Sequence, residues 1–338
     1  MTALLEIEDL HVSFHRGGAL SRHFGTGPRE IAAVAGVTLA VDPGQTVALV
    51  GESGSGKTTL ARAVIGLAPV RSGRIRFEGQ DITGLADRAM QPVRRRMSLM
   101  FQDPVGSLSP RLTVRSLLAE PFRVHGMSDR DLAAEAIRLL DLVGLPASFA
   151  ERYPHQLSGG QARRIGVARA VALEPRLVIA DEPTAGLDVS IQGEVLNLLN
   201  ELQDRLGISI LIITHNLSVV RHVADRTAVM YLGRVVEESP TAALFRHPRH
   251  PYARALLAAN PEPDPDAVPD RLELPGEVPS LLRRPSGCEF HPRCPFARDR
   301  CAREAPVLSP AADGRRRACH YPLDDSGQPP ASGGQQTA

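Results

Sequence analysis

The chain has 338 residues, 43% of them apolar, so it can bury a sizeable core as one large domain or as a domain with an appendage. Its 39 basic and 38 acidic residues nearly cancel, which excludes an overall field that would draw it to nucleic acid or to an anionic membrane surface. Apolar runs such as residues 210–213 fall far short of the roughly 20 residues of a membrane-spanning helix. Residues 1–9 hold three acids and no basic start, so we predict a cytoplasmic protein without a secretory signal.

The first half of the chain alternates between strand and helix patterns. Residues 1–14 and 31–41 predict strands, separated by a Gly- and Arg-rich surface loop over 16–30. Residues 46–50 predict an apolar strand that leads through a glycine loop into a helix near Lys57. This order favours a layered α/β fold around a partly parallel sheet. Residues 114–149 predict a helical subdomain, with Asp129 as the N-cap of a helix over 131–143.

The second half begins with two very apolar runs, residues 177–180 and 208–213, on either side of a predicted helix over 191–206. We expect these runs to be buried core strands. Composition changes after Asn260, where alternating prolines and acids cannot continue a helix, so we place a domain boundary there. Residues 324–338 are small and polar and predict a disordered tail.

Residues 51–59 match the pattern G-x-x-x-x-G-K-[ST] between a predicted strand and a predicted helix. In such a loop, glycines let backbone N–H groups face phosphates, Lys57 reaches the β- and γ-phosphates, and Thr58 ligates Mg²⁺. The alternative is an ordinary glycine-rich turn. However, Lys57 is the one lysine among the 39 basic residues of the chain. A narrow loop around a phosphate has room for a slim ammonium group but not for a planar guanidinium, which explains a lysine at this position alone. The predicted ATP-binding residues are Gly51, Glu52, Ser53, Gly54, Ser55, Gly56, Lys57, Thr58 and Thr59.

Asp181 and Glu182 end the apolar run 177–180 at the edge where a nucleotide would lie. Many buried strands end in a surface acid, so this pair is weak by itself. Together with the phosphate loop, Asp181 becomes a predicted Mg²⁺ ligand and Glu182 the predicted base for the attacking water.

Residues 157–161, Leu-Ser-Gly-Gly-Gln, resemble the signature of the ATP-binding cassette (ABC) family. Before a predicted apolar helix over 162–173, they could simply cap that helix, or they could present a second helix N-terminus to phosphate. The resemblance implies two cassettes facing head to tail, each signature closing over the ATP of the other. The residues implied to act on the opposing site are Ser158, Gly159, Gly160 and Gln161.

Further matches follow in the family's order, although each residue alone would be an ordinary surface residue. The resemblance implies that Gln102 senses Mg²⁺ and the membrane subunit, that Asp188 contacts the opposing subunit and that His215 holds the γ-phosphate. Phe14 resembles the aromatic residue that stacks on adenine, with a core phenylalanine as the alternative. Asn216 stands where much of the family has aspartate.

Residues 101–111, 152–155 and 250–252 and the cysteine-bearing end resemble the ATPase subunits of oligopeptide and dipeptide importers. This implies an ATPase domain over 3–260, its helical subdomain over about 103–170, and an importer extension over 261–323. The implied partners are a second ATPase, different rather than identical, two membrane permease subunits and an extracytoplasmic peptide-binding protein, at the cytoplasmic face of the membrane. Nickel or another small solute is an alternative cargo, and a soluble ABC ATPase acting on DNA or ribosomes is an alternative class.

All four cysteines lie near the end of the chain, in the spacing C-x5-C-x6-C-x17-C. A reducing cytoplasm disfavours disulfides, and close C-x-x-C pairs typical of structural zinc are missing. Four thiolates suit a [4Fe–4S] cluster, which the resembled importer group is associated with; zinc or no metal remain alternatives. His291 and His320 are possible substitute ligands, and 315–317 predict a solvated turn. The predicted ligands are Cys288, Cys294, Cys301 and Cys319.

Overall fold

This computed structural model describes residues 2–16, 29–100, 103, 106–127, 129–259, 272 and 274–330 of the chain, and within them the strands form two β-sheets. Within these residues the strands are β1 (Leu5–Arg16), β2 (Arg29–Val41), β3 (Thr46–Val50), β4 (Val70–Phe77), β5 (Gln80–Asp81), β6 (Met97–Met100), β7 (Leu177–Asp181), β8 (Ser209–Thr214), β9 (Arg226–Tyr231), β10 (Arg234–Pro240), β11 (Ser309–Pro310) and β12 (Arg316–Arg317).

The larger sheet has the order β11-β12-β10-β9-β3-β8-β7-β6 among the described residues. Its centre is parallel: β3 pairs with β8 and β9, and β7 pairs with β8 and β6. Every residue of β3, β7 and β8 is buried, as expected where helices or a second sheet cover both faces of parallel strands. The predicted strands of the phosphate loop and of the paired acids, β3 and β7, therefore lie in one sheet, with the predicted strand β8 between them.

Two apolar clusters cover the two faces of this sheet. Val47 and Leu49 point to one face, where they pack with Leu60 and with the smaller antiparallel sheet β2-β1-β4-β5. Ala48 and Val50 point to the other face, where the helices of the middle region lie. This alternation along β3 is the period of two that a strand imposes, and it keeps the loop after β3 on a rigid base.

The described helices are α1 (Lys57–Val64), α2 (Asp87–Arg96), α3 (Val114–Val124), α4 (Leu132–Leu142), α5 (Gly159–Val171), α6 (Val189–Leu206), α7 (Leu217–Val223), α8 (Thr241–Arg246), α9 (Pro251–Ala258) and α10 (Asp299–Arg303). The predicted N-cap Asp129 is wrong. Asp131 caps α4, because its carboxylate accepts the N–H groups of Ala133 and Ala134 at 3.0 and 3.1 Å. None of the described helices is both long and apolar enough to cross a membrane.

The C-terminal extension joins the larger sheet instead of standing apart from it. Strand β12 pairs with β10, and the Arg316 guanidinium lies 3.1 Å from the Glu238 carboxylate. Arg315 is buried, so the prediction of a solvated turn at 315–317 is wrong. The boundary predicted after Asn260 lies outside the described residues and stays a prediction.

Ordered structure in the C-terminal extension continues past residue 323, where the extension was predicted to end. The Asp324 carboxylate accepts the N–H groups of Ser326 and Gln328, both at 2.9 Å, so hydrogen-bonded structure passes beyond residue 323. The rest of the predicted tail, 331–338, lies outside the described residues. At the other end of the chain, β1 and β2 pair as far as Arg16 and Arg29, so the ends of the loop predicted over 16–30 belong to strands. The remaining residues of that predicted loop, 17–28, lie outside the described residues.

Candidate ATP site

The phosphate loop turns sharply from β3 into α1, and two of its glycines lie against backbone. A Cβ on Gly51 would come within 2.1 Å of the Met230 carbonyl oxygen, and one on Gly56 within 2.2 Å of the Ala33 carbonyl oxygen. Gly56 also has a φ of 101°, which favours glycine. The loop therefore needs glycine at both positions, and it leaves the first N–H groups of α1 available for an anion.

Lys57 is folded into this loop and is only 8% exposed. Its ammonium donates to the carbonyl oxygens of Gly51 and Glu52 at 2.7 and 2.9 Å and to the Ser55 hydroxyl at 3.3 Å. Burial lowers the pKa of Lys57, while the nearby carboxylates oppose that shift. The loop thus holds one cation at the place where phosphate oxygens would lie.

Asp181, at the end of β7, faces the start of α1. The Thr58 hydroxyl donates to its carboxylate, yet burial dominates and raises the pKa of Asp181. Its Oδ1 atom is buried and has no hydrogen-bond partner among the described residues. An orphaned carboxylate oxygen beside a hydroxyl is the oxygen donor set that Mg²⁺ prefers, so Thr58 and Asp181 fit the predicted ion.

Glu182 has left the strand and has a φ of 50°, uncommon for a residue with a side chain. Its carboxylate lies 2.7 Å from His215 Nδ1 and accepts the Thr214 hydroxyl at 3.3 Å. Glu182 is 13% exposed, whereas His215 is 70% exposed. The predicted base and the predicted γ-phosphate residue therefore lie together at the carboxyl ends of β7 and β8, beside the loop after β3. Sequence reasoning missed Thr214.

The signature residues begin α5 and form a capping box. The Ser158 hydroxyl accepts the Gln161 N–H at 3.3 Å, and the Gln161 amide oxygen accepts the Ser158 N–H at 3.0 Å. A Cβ on Gly159 would meet no described atom within 4 Å, so this helix N-terminus is open. The capping alternative is thus real within one chain, and it leaves room for the facing-subunit role.

A buried arginine that sequence reasoning missed ties the signature helix to the turn that follows the paired acids. The Arg163 guanidinium donates to the carbonyl oxygens of Pro183 and of Ala185, the latter at 3.0 Å. Arg163 is 4% exposed. No local signal marks this residue, because arginine supplies nearly every basic position of the chain.

The remaining predicted site residues, Gln102, Asp188 and Phe14, lie apart from one another in the chain's fold or outside its described part. Gln102 lies outside the described residues, but the segment after it, at Asp103 and Gly106, borders the same cavity as Thr58 and Asp181. Asp188 caps α6 by accepting the Ile191 N–H at 2.9 Å. Phe14 is 41% exposed on β1, so the core alternative does not describe it.

Asn216, the departure from the family's usual aspartate, caps α7. Its amide oxygen accepts the N–H groups of Ser218 and Val219 at 3.0 and 3.4 Å. Aspartate and asparagine are comparable N-caps, so the change leaves the backbone after His215 held in the same way.

All four cysteines are free and line one small cavity, together with His291 and His320. Burial raises the pKa of the Cys294 and Cys319 thiols to about 12, and neighbouring thiolates add to this shift. Among the described residues, however, no group of three or more His, Cys, Asp or Glu side chains is placed to hold a metal ion. The described residues therefore support neither the iron–sulfur nor the zinc prediction.

Comparison with known proteins confirms the family. Residues 34–185 match the family model of the ABC transporter, and residues 236–301 match the model of the oligopeptide/dipeptide transporter C-terminal region. The chain is 49% identical over 323 residues to a probable peptide ABC transporter ATP-binding protein of Sinorhizobium fredii, which spans 94% of this chain and 90% of the relative. It is 45% identical over 309 residues to the oligopeptide transport ATP-binding protein OppF of Escherichia coli, spanning 90% and 92%. The chain therefore belongs to the ATP-binding proteins of ABC transporters, in the group that carries this C-terminal region.

Solved structures agree with the predicted fold class. The dimeric post-hydrolysis state of the ATP-binding cassette MJ0796, bound to ADP and Pi, has a TM-score of 0.61 and 27% identity over 70% of this chain and 98% of that one. CbiO1 of Clostridium perfringens, part of the ABC transporter complex CbiONQ, has a TM-score of 0.61 and 29% identity over 72% and 91%. The α/β ABC ATPase fold is confirmed.

Proposed function

We propose that this chain is the ATP-hydrolysing subunit that powers import of peptides through separate membrane subunits. The observation that carries the proposal is that Lys57, Asp181 and Glu182, with His215, meet at the carboxyl ends of β3, β7 and β8 in a chain whose residues 236–301 match the oligopeptide/dipeptide transporter region. The four site residues account for ATP hydrolysis, and the matched C-terminal region indicates that peptides are transported.

The site residues divide the work of hydrolysis. Lys57 and the N–H groups of the loop bind the β- and γ-phosphates, and Thr58 and Asp181 would hold Mg²⁺, which neutralises phosphate charge when bound. Glu182 accepts a proton from the attacking water, while His215 orients Glu182 and then meets the γ-phosphate. A carboxylate already oriented by two hydrogen bonds needs little reorganisation to receive that proton.

The open N-terminus of α5 supports a site completed by a second cassette. Ser158 and Gly159 lie at a helix end where backbone N–H groups can meet phosphate oxygens, and Asp188 begins α6. We infer a dimer with a second ATPase, a different chain favoured over an identical one, bound to two permease subunits at the cytoplasmic face and served by an extracytoplasmic peptide-binding protein.

Uptake by cells that carry Lys57→Ala in place of the native residue tests this function. Loss of labelled-peptide uptake with nickel uptake unchanged is the expected result. Loss of nickel uptake with peptide uptake unchanged would show that nickel, and not peptide, is the transported solute. Normal uptake of both would remove the transport proposal.

We further propose that Cys288, Cys294, Cys301 and Cys319 hold a [4Fe–4S] cluster. They line one cavity, and each iron of such a cluster binds a different thiolate, so the thiols need not close around a single ion. Protein purified without oxygen should be brown and contain about four irons per chain, the number set by the cluster type. Cys294→Ser should remove most of the colour. Colourless, iron-free wild-type protein would contradict the cluster.

A further inference from the structure

Glu52, the second residue of the phosphate loop, is held at three points. Its backbone N–H donates to the Tyr252 hydroxyl at 2.9 Å, and its carbonyl oxygen accepts from Lys57 at 2.9 Å. Its carboxylate is bound by Arg293 through two contacts, Nη1 to Oε2 at 3.0 Å and Nη2 to Oε1 at 3.2 Å. Lys57 thus fixes Glu52 from inside the loop, and two residues fix it from outside.

Both outside residues belong to the region matched by the C-terminal transporter model. Tyr252 is on α9 and Arg293 is in the short 3₁₀ turn His291–Arg293; they are 0% and 7% exposed. The Phe290 ring packs 5.4 Å from the Tyr252 ring and also lines the cysteine cavity. Buried side chains locked by aromatic packing make a rigid support, so the fork of Arg293 holds one defined position of the carboxylate.

The charge of Glu52 gives this support a second effect. A carboxylate at the second position of a phosphate loop would repel a triphosphate unless a cation neutralises it. Burial of the Arg293 guanidinium opposes its charge, but the hydrogen bonds and charge attraction of Glu52, together with the contribution of Tyr231, raise the pKa of Arg293. Arg293 therefore stays charged and neutralises the negative charge of Glu52 beside the place where phosphate binds.

We propose that Arg293 and Tyr252 are positioning residues of the phosphate loop, by which the cysteine-bearing extension sets the affinity of the site for ATP. Neither residue touches phosphate; both act through Glu52. The inference rests on the proposed use of this loop to bind and hydrolyse ATP.

The test uses full-length protein and two readouts, the Kd of a fluorescent ATP analogue and the KM and kcat of hydrolysis. Arg293→Ala should raise Kd and KM about tenfold and leave kcat within about twofold, because a neutralising partner of Glu52 is lost. Adding Glu52→Gln to Arg293→Ala should restore most of the affinity, since the uncompensated carboxylate is then gone. A merely structural role of Arg293 would show no such rescue. Arg303→Ala, in an exposed pair with Asp299 of the same extension, should change nothing.

Tyr252→Phe removes only the hydroxyl and should raise Kd about threefold, the scale of one hydrogen bond. If Arg293→Ala does not fold, Arg293→Lys and Tyr252→Phe decide, with a rise in Kd expected for both. Unchanged Kd in folded Arg293 and Tyr252 variants would overturn the proposal, and so would failure of Glu52→Gln to rescue. A wild-type protein that binds the analogue but does not hydrolyse ATP would sink the hydrolysis proposal, while the Kd series would still decide this one.

Discussion

The Nδ1 atom of His215 lies 2.7 Å from Oε1 of Glu182, so the predicted base and the predicted γ-phosphate residue form one hydrogen-bonded unit. His215 is mostly exposed and Glu182 is mostly buried, so the histidine covers the carboxylate from the solvent side. A nucleotide entering the site would meet both residues at once.

His215→Ala should lower kcat on the order of 100-fold and change the Kd for ATP much less, because it leaves Glu182 unoriented and removes a contact made at the γ-phosphate. Steady-state ATP hydrolysis and analogue binding measure the two effects. His222→Ala is a matched control, since that ring contacts Asn197 at 3.1 Å on an exposed surface. Equal activity of the two variants would remove His215 from the site.

Glu182→Gln should keep ATP binding and abolish turnover, because the amide fills the same space but cannot accept the proton of the attacking water. Trapped ATP should also hold two cassettes together, which size-exclusion chromatography with and without ATP can detect. Unchanged hydrolysis would show that Glu182 is not the base.

Asp181→Asn should raise the melting temperature of the protein without nucleotide by a few degrees at neutral pH. Burial raises the pKa of Asp181 in the folded protein, so its contribution to stability falls as pH rises from the unfolded pKa through the folded one. The amide carries no buried charge, so the variant should lack that part of the pH dependence. Thermal melts across pH, with and without Mg²⁺ and ATP, test this; stabilisation by Mg²⁺ and ATP equal to that of wild type would exclude Asp181 as a ligand.

Ser158→Arg should leave the Kd of a single cassette for ATP unchanged and lower hydrolysis about 100-fold, because a bulky side chain at the open end of α5 blocks a facing subunit. Lys57→Ala should instead lose binding itself. Binding and turnover measured on the same preparations separate the two residues. Weaker ATP binding by Ser158→Arg would show that the signature acts on the nucleotide of its own chain.

Local patterns predicted much of the core. The apolar runs of β3 and β8, the glycine loop and the paired acids carry their information within a few residues, and the sheet then brings their carboxyl ends together. Even the cap of α4 was missed by only two residues, because Asp129 and Asp131 offer the same chemistry and only the backbone selects between them.

Contacts between distant residues were beyond such patterns. Arg293 and Glu52 are 241 positions apart, and Arg163 reaches carbonyl oxygens 20 and 22 positions away. In a chain whose basic residues are nearly all arginine, a buried arginine looks like every solvated one. For the same reason the three arginines 315–317 were predicted to be exposed, although Arg316 forms an ion pair with Glu238 on the adjacent strand.

Lys57 offers the most direct test of the central claim that this loop binds and hydrolyses ATP. ATP hydrolysis should be compared between wild type and Lys57→Arg, which keeps the positive charge but puts a planar guanidinium where three short contacts surround a slim ammonium. The account predicts measurable Mg²⁺-dependent turnover for wild type and a loss on the order of 100-fold for Lys57→Arg. Equal turnover of both proteins, or none by wild type with its partner present, would contradict it.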